Sequence, residues 1–488
     1  MVSELLKHRK AGVLLHPTSL PGPYQWGILD NNAYRFVDFL AHCHFKVWQL
    51  LPLSPVSEDR SPYNSASAFA GNPELISIHK LYSDFFQHHN IGEPADLINK
   101  KEKLRVAFID FKSLQNPEIK NQYREFLERE SHWLDNFALF MVIRKSQHNL
   151  HWNQWPEALR AMEPNACDIV KANHADEYDL IRFEQFVFYH QWSALRNYAN
   201  SKGIEIIGDL PIFVSDNSAD VWSMQREFKL TPEGTATVVA GVPPDYFSAT
   251  GQRWGNPVYD WEAMEATGFS WWVKRMARAL ELFDIVRVDH FRGFAATWEI
   301  PAHEETAING EWVATPGEKL LTVFNEVFGD LPIIAEDLGI ITDDVEALRD
   351  NFGLPGMKIL QFAFDSDAHN PYLPHNHVEN CVIYTGTHDN DTTVGWYNSS
   401  NPNTKDRMNR YLGWPSEQMP WPIIKCALAS VAKLAVLPMQ DVMLLGSEHR
   451  MNTPGTTTDN WRWRFQWHQI SDDLSQYLTQ LNELYLRC

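Results

Sequence analysis

Four carboxylates occupy equivalent points of this chain. Asp209, Asp289, Glu336 and Asp389 each close or follow a short apolar run, in IEIIGDLPIFV, FDIVRVDHFRGF, LPIIAEDLG and CVIYTGTHDND. A charge buried at the end of such a run is costly unless it is paired or used. A capping role explains any one of them, whereas four in equivalent places point to a shared site. Two chemistries use several carboxylates without a nucleophilic cysteine, a nucleotide loop or zinc-ligand spacing. One is a divalent-metal hydrolase or lyase with hard oxygen ligands. The other is glycoside chemistry, in which one carboxylate attacks and a second serves as acid and base. The neighbouring residues separate the two. A metal cluster sets acid on acid, but here Arg287 lies two residues before Asp289 and His388 directly precedes Asp389. A cation beside Asp289 favours its ionised form, as a nucleophile needs. Glu336 ends the apolar run Pro332 to Ala335, and burial there raises its pKa, as a general acid needs. Tyr63, Tyr246, Phe247 and Trp254 lie in polar segments and offer flat faces on which sugar rings stack.

The elements that must carry these residues follow from periodicity. Buried strands are expected near residues 13, 48, 205, 286, 333, 358, 382 and 440, and helix-like segments such as Ala33 to His42 separate most of them. The runs are continuous rather than alternating, which marks parallel strands covered on both faces. Eight such β/α units predict an α/β fold of the (β/α)8 TIM-barrel type rather than an open doubly wound sheet, and its C-terminal rim would gather all four acids. The stretch 67–200 breaks the pattern. It is rich in charge and amphipathic, as in Lys120–Phe140 and Phe183–Tyr198, and reads as a largely helical insertion between strands two and three. Three segments result: 1–66 with the first two strands, 67–200 as the insertion, and 201–488 with the rest of the barrel. The last includes AGVPPDYFSATGQRWGNP at 240–257, a loop too long to be filler. Lys100 to Lys103 reads as solvated surface.

Composition narrows the classes. The formal net charge is −20, from 42 basic and 62 acidic residues, against a general nucleic-acid binder, which needs a basic footprint. No run approaches the ~18 apolar residues of a membrane span. Five scattered cysteines without a CxxC argue against a disulfide framework and fit a reducing, cytoplasmic setting. No glycine-rich phosphate motif follows a strand, so no nucleotide cofactor is expected. His42-Cys43-His44 resembles a ligand cluster but sits at the end of a helix, where a packing role is the plainer reading. Trp461, Trp463 and Trp467 could stack on sugar or pack on the barrel, and Asp337 and Asp391 read as supporting or capping groups beside the acids.

The chain resembles the 4-α-glucanotransferases of the amylomaltase or disproportionating-enzyme type, glycoside hydrolase family 77. The stretches that carry the resemblance are GVLLHPTSLPGPYQWG, WQLLPLSP, SPYNSASAFAGNP, GDLPIFVSDNSADVW, GVPPDYFSATGQRWGNPVYDW, RVDHFRGF, IIAEDLG, GMKILQF, GTHDNDTTVGW and MNTPGTTTDNWRWR, from about residue 12 to 464. The resemblance implies a barrel with inserted subdomains and retaining transfer of α-1,4-glucan segments to the 4-hydroxyl of glucose or another glucan, without cofactor or metal. By position it implies Asp289 as nucleophile, Glu336 as acid/base and Asp389 as the carboxylate that binds sugar hydroxyls and stabilises the transition state. It likewise implies Tyr63, Asp209, Arg287 and His388 at sugar subsites, and Trp254 in a flap over the bound glucan. Rival readings are a hydrolysing α-amylase-like glucosidase with the same acids, a non-catalytic glucan-binding barrel and the divalent-metal enzyme.

Overall fold

The structure is a computed structural model that describes residues 7–88, 91–245, 248–456 and 458–488. In chain order its strands are β1 (Lys10–Leu14), β2 (Val47–Gln49), β3 (Glu205–Pro211), β4 (Val238–Val242), β5 (Gln252–Pro257), β6 (Ile285–Asp289), β7 (Ala296–Pro301), β8 (Glu311–Ala314), β9 (Ile333–Ala335), β10 (Gly356–Ile359), β11 (Cys381–Tyr384) and β12 (Leu434–Pro438). Eight of them form one parallel sheet in the order β10-β11-β12-β1-β2-β3-β6-β9. The Ala335 N–H donates to Pro355 O at 2.9 Å between the two outer strands, and this contact closes the sheet into a barrel. These are the eight strands expected from the apolar runs. Their burial is continuous, as in the wholly buried LAVLP of β12, because side chains fill one face and helices cover the other. β12 ends at Pro438, earlier than the apolar run suggests, and Met439–Val442 turns helical.

Amphipathic helices supply the outer layer. Asn31–His42 is capped by Asp30, which accepts from Asn32 N, and buries Ala33, Phe36, Val37 and Leu40 at helical spacing. Between β2 and β3 lie the helices Ile78–Phe86, Leu97–Ser113, Pro117–Ser146, Glu157–Arg160, Pro164–Asn173 and Ala175–Ser201. Their apolar faces share one continuous core with the barrel. The last of them clamps the barrel loops. Gln185 accepts from Gly71 N at 2.8 Å and donates to Gly71 O at 2.9 Å. Gln191 treats Ser77 the same way, at 2.9 and 2.8 Å.

Two expectations need correction. Lys100 is not solvated surface: it is buried, donates to Glu74 O at 2.5 Å and lies 4.8 Å from the Tyr24 ring centroid. The carbonyl and the aromatic face replace the water its ammonium loses. The 240–257 stretch is not all loop either. Its ends belong to β4 and β5, which join β7 and β8 in an antiparallel sheet of order β5-β4-β7-β8 outside the barrel. Gly241 is what lets the strands close, since a Cβ there would stand 2.2 Å from Gln252 O. Tyr246 and Phe247 lie outside the described residues.

The N-terminal rim of the barrel is tied by two arginines. The buried Arg487 donates to the carbonyls of Ala432, Ser430 and Leu428 at 2.8, 2.9 and 3.0 Å, and to that of Lys10 at 3.2 Å. Arg9 reaches Leu428 O and Ser430 O, both at 2.7 Å. All five cysteines are free, and among the described residues no helix is long and apolar enough to cross a membrane.

Candidate active site

Register brings the charges together. β3 and β6 pair with Asp209 opposite Arg287. Arg287 then spans two carboxylates, with Nη1 2.6 Å from Asp209 Oδ1 and Nη2 3.0 Å from Asp289 Oδ1. On its other oxygen Asp209 accepts the Tyr63 hydroxyl at 2.6 Å, and that hydroxyl lies 2.9 Å from His388 Nε2. His388 Nε2 stands 3.5 Å from Asp389 Oδ2. One unbroken line of contacts therefore runs Asp289, Arg287, Asp209, Tyr63, His388, Asp389.

Glu336 comes from the neighbouring strand. β6 pairs with β9 so that Val288 faces Ala335, which sets Glu336 beside Asp289 at the same rim. Its Oε2 accepts the His290 N–H at 2.6 Å, and its Oε1 accepts from Leu338 N at 3.2 Å. Trp254, on β5, meets the His290 ring edge to face at 4.8 Å and is 38% exposed, so an indole stands open to solvent beside the residue that follows Asp289. The structure gathers all eight sequence-predicted residues.

Burial sets the electrostatics. Arg287 and Asp209 are almost fully enclosed, while the Asp289 side chain is 30% exposed and open to a ligand. Burial pushes the Asp209 carboxyl up, and the guanidinium of Arg287 opposes it. Burial pushes Glu336 up to about 8. The charge of Asp289 adds to this, while Arg287 and the His290 N–H pull the other way. Glu336 is thus protonated at neutral pH, next to a carboxylate paired with a cation. That asymmetry is what acid catalysis and nucleophilic attack require of two adjacent acids. Among the described residues no group of three or more His, Cys, Asp and Glu is placed to hold a metal ion.

Sequence reasoning passed over several neighbours. Asn452 donates to Asp389 Oδ1 at 2.6 Å and Arg450 to Asp389 O at 2.9 Å. Their signal was the polar loop after the last barrel strand, a standard location for site residues. The three tryptophans divide. Trp461 stands 6.0 Å from Tyr63 and 5.9 Å from His388, at the site. Trp463 is buried, and Trp467 bonds Asn32 at 2.8 Å beneath Arg35. Asp337 holds Arg349 and Met357 N, and Asp391 holds Ser447 and Thr392 N, as supporting groups do.

The sequence profile of the family described as 4-alpha-glucanotransferase matches residues 15–470. The chain belongs to the 4-α-glucanotransferase family. Among curated 4-alpha-glucanotransferases it is 49% identical to that of Thermus thermophilus, with 97% of this chain and 98% of that protein covered. With that of Synechocystis the identity is 46%, with 99% of each covered. Among solved structures, amylomaltase from Streptococcus agalactiae in complex with acarbose superposes with a TM-score of 0.92 at 36% identity, covering 98% of this chain and 99% of that one. The family match thus spans the helices between β2 and β3 as well as the strands from β2 to β12.

Proposed function

We propose that the protein is a retaining 4-α-glucanotransferase that moves α-1,4-glucan segments from a maltodextrin donor to the 4-hydroxyl of glucose or of another maltodextrin. The observation that carries the mechanism is a buried Glu336, its pKa pushed up by that burial, beside an Asp289 that is paired with Arg287 at 3.0 Å and open to the cleft. Asp289 attacks the anomeric carbon while the Glu336 proton passes to the departing glycosidic oxygen. A covalent glycosyl ester on Asp289 results, and the reducing-end fragment leaves. The acceptor 4-hydroxyl then gives its proton to Glu336 and displaces Asp289. Two inversions give net retention, and the two carboxyl groups act at about 5–5.5 Å from one another.

The other residues divide the binding work. Arg287 and Asp209 fix the orientation of Asp289, and Tyr63 and His388 extend that network toward the donor sugar. Asp389, oriented by Asn452, takes sugar hydroxyls and strengthens its hold as charge develops. Trp254 stacks on the glucan and helps the hairpin between β4 and β5 exclude water, so that an acceptor sugar competes successfully. The amylomaltase complex with acarbose supports an oligosaccharide in this cleft. Five free cysteines favour a reducing, cytoplasmic setting.

Incubation with maltotriose, without phosphate or metal, tests the reading. Glucose and a ladder longer than three units are expected, and Asp289→Asn abolishes both. Glucose and maltose without longer products would mean a hydrolase with the same acids. Bound but unconverted maltotriose would mean a glucan-binding barrel.

A further inference from the structure

His290 follows Asp289 directly and was not among the residues expected at the site. Its backbone is left-handed, with φ 51° and ψ 51°. Side chains other than glycine adopt this region infrequently, and where they do the surroundings hold them there. Three bonds lock this turn to the neighbouring strand: Glu336 N donates to Val288 O at 3.1 Å, Phe291 N to Glu336 O at 3.1 Å, and His290 N to the Glu336 carboxyl at 2.6 Å. The imidazole points the other way, edge to face with Trp254 at 4.8 Å and 6.5 Å from the Phe213 ring. One residue therefore touches the acid with its main chain and the substrate hairpin with its side chain.

A neutral carboxylic acid has one oxygen that only accepts and one that carries the proton. Oε2 takes the short bond from His290 and is the accepting oxygen. The proton is left on Oε1, which meets Leu338 N only at 3.2 Å. We infer that His290 is a positioning residue for Glu336: its amide fixes which carboxyl oxygen delivers the proton, and its ring ties that geometry to Trp254, so that a glucan resting on the indole steadies the acid. The inference rests on the acid/base assignment of Glu336. The charged and titratable groups that face Glu336 are Arg287, Asp289, Asp337 and Tyr372, and those that face the imidazole are Asp289 and Arg292. Burial holds the imidazole down at about 4, so it stays neutral across the assay range and adds no limb of its own.

The test compares two donors. Maltotriose needs a proton on its leaving oxygen, whereas α-maltotriosyl fluoride departs without one. His290→Asn keeps a residue that tolerates the left-handed backbone but removes the ring. Its kcat on maltotriose is expected to fall about 10- to 100-fold, as for weakened acid catalysis, with KM within about three-fold. Single-turnover fluoride release is expected to stay within about three-fold of wild type. The basic limb of kcat/KM should rise by about half a pH unit, because a donor to the carboxylate form has been loosened. His290→Phe, which restores an aromatic face to Trp254, should recover most of both. Equal slowing on the two donors, or an unmoved basic limb, in a variant that melts like wild type would overturn the inference. Should His290→Asn fail to fold, Trp254→Ala removes the other half of the ring contact; it weakens binding of both donors, and its rates at saturating donor must fall further on maltotriose than on the fluoride. Glu336→Gln run alongside separates the failures. If it shows no split, the acid/base assignment falls and the relay with it. If it shows the split and neither His290→Asn nor Trp254→Ala does, only the relay falls.

Discussion

At the scale of single residues, the site works by holding two acids in opposite states. Arg287 pairs with Asp209 and Asp289, and at Glu336 the penalty of burial outweighs the pull of that same guanidinium and of the His290 N–H. The activity of the acid form is therefore expected to decline as pH rises through about 8. The same shift has a consequence for stability. The folded value lies above the ordinary 4.5, so the share of stability from Glu336 is complete below about 4.5 and is lost as pH climbs through about 8. Glu336→Gln should accordingly be more stable than wild type at pH 9, by on the order of 5 kcal/mol, and no more stable at pH 4. Differential scanning calorimetry at the two pH values checks this, and a variant less stable at pH 9 would contradict the burial argument. The acids were legible in sequence because each interrupts, ends or follows an apolar run. His290 and Asn452 were not, because what they contribute is a backbone conformation in one case and a long-range contact in the other.

At the scale of elements, the barrel strands could be read and the second sheet could not. The eight runs are continuously apolar, and only a covered parallel strand asks for that. β4 and β5 hide in a stretch dense with glycine and proline, where Gly241 serves close strand packing and resembles a loop residue. The inward turn of Lys100 was likewise invisible, since nothing local announces the carbonyl of Glu74. The helical insertion has a task that its amphipathic pattern also concealed. Through Gln185 and Gln191 it fixes the segment that follows the Tyr63 loop. Gln185→Ala would leave the buried N–H and C=O of Gly71 without partners and is expected to cost about 2–4 kcal/mol, read as a lower denaturant midpoint. Gly71→Ala should destabilise by about 1–3 kcal/mol, since its Cβ would meet the Phe188 ring at 1.9 Å. A change in KM for maltotriose should accompany both, because the segment carrying Tyr63 loses its anchor.

At the scale of the whole molecule, the chemistry and the arginine ties sit at opposite ends of the strands. The acids crown the C-terminal rim, while Arg487 and Arg9 gather carbonyls at the N-terminal one. Arg487 is a buried cation whose partners include Leu428 O in the last turn of the helix Trp421–Ala429, where partial negative charge accumulates. Arg487→Ala should cost about 1–3 kcal/mol by stranding the Ala432 carbonyl, since Arg9 still holds those of Leu428 and Ser430, with kcat on maltotriose unchanged at temperatures where the fold persists. A loss of kcat without a loss of stability would show the two rims to be coupled. The same arrangement gives the molecule a mechanical polarity. Ala11 N donates to Arg487 O at 3.2 Å, so the chain's first strand and its last residues meet at a single point beneath the barrel. Tension applied between β1 and the segment carrying Arg487 would load the Arg487 contacts and the β1–β12 ladder first. The strands bearing Asp289 and Glu336 lie across the barrel from that point and would feel the pull last.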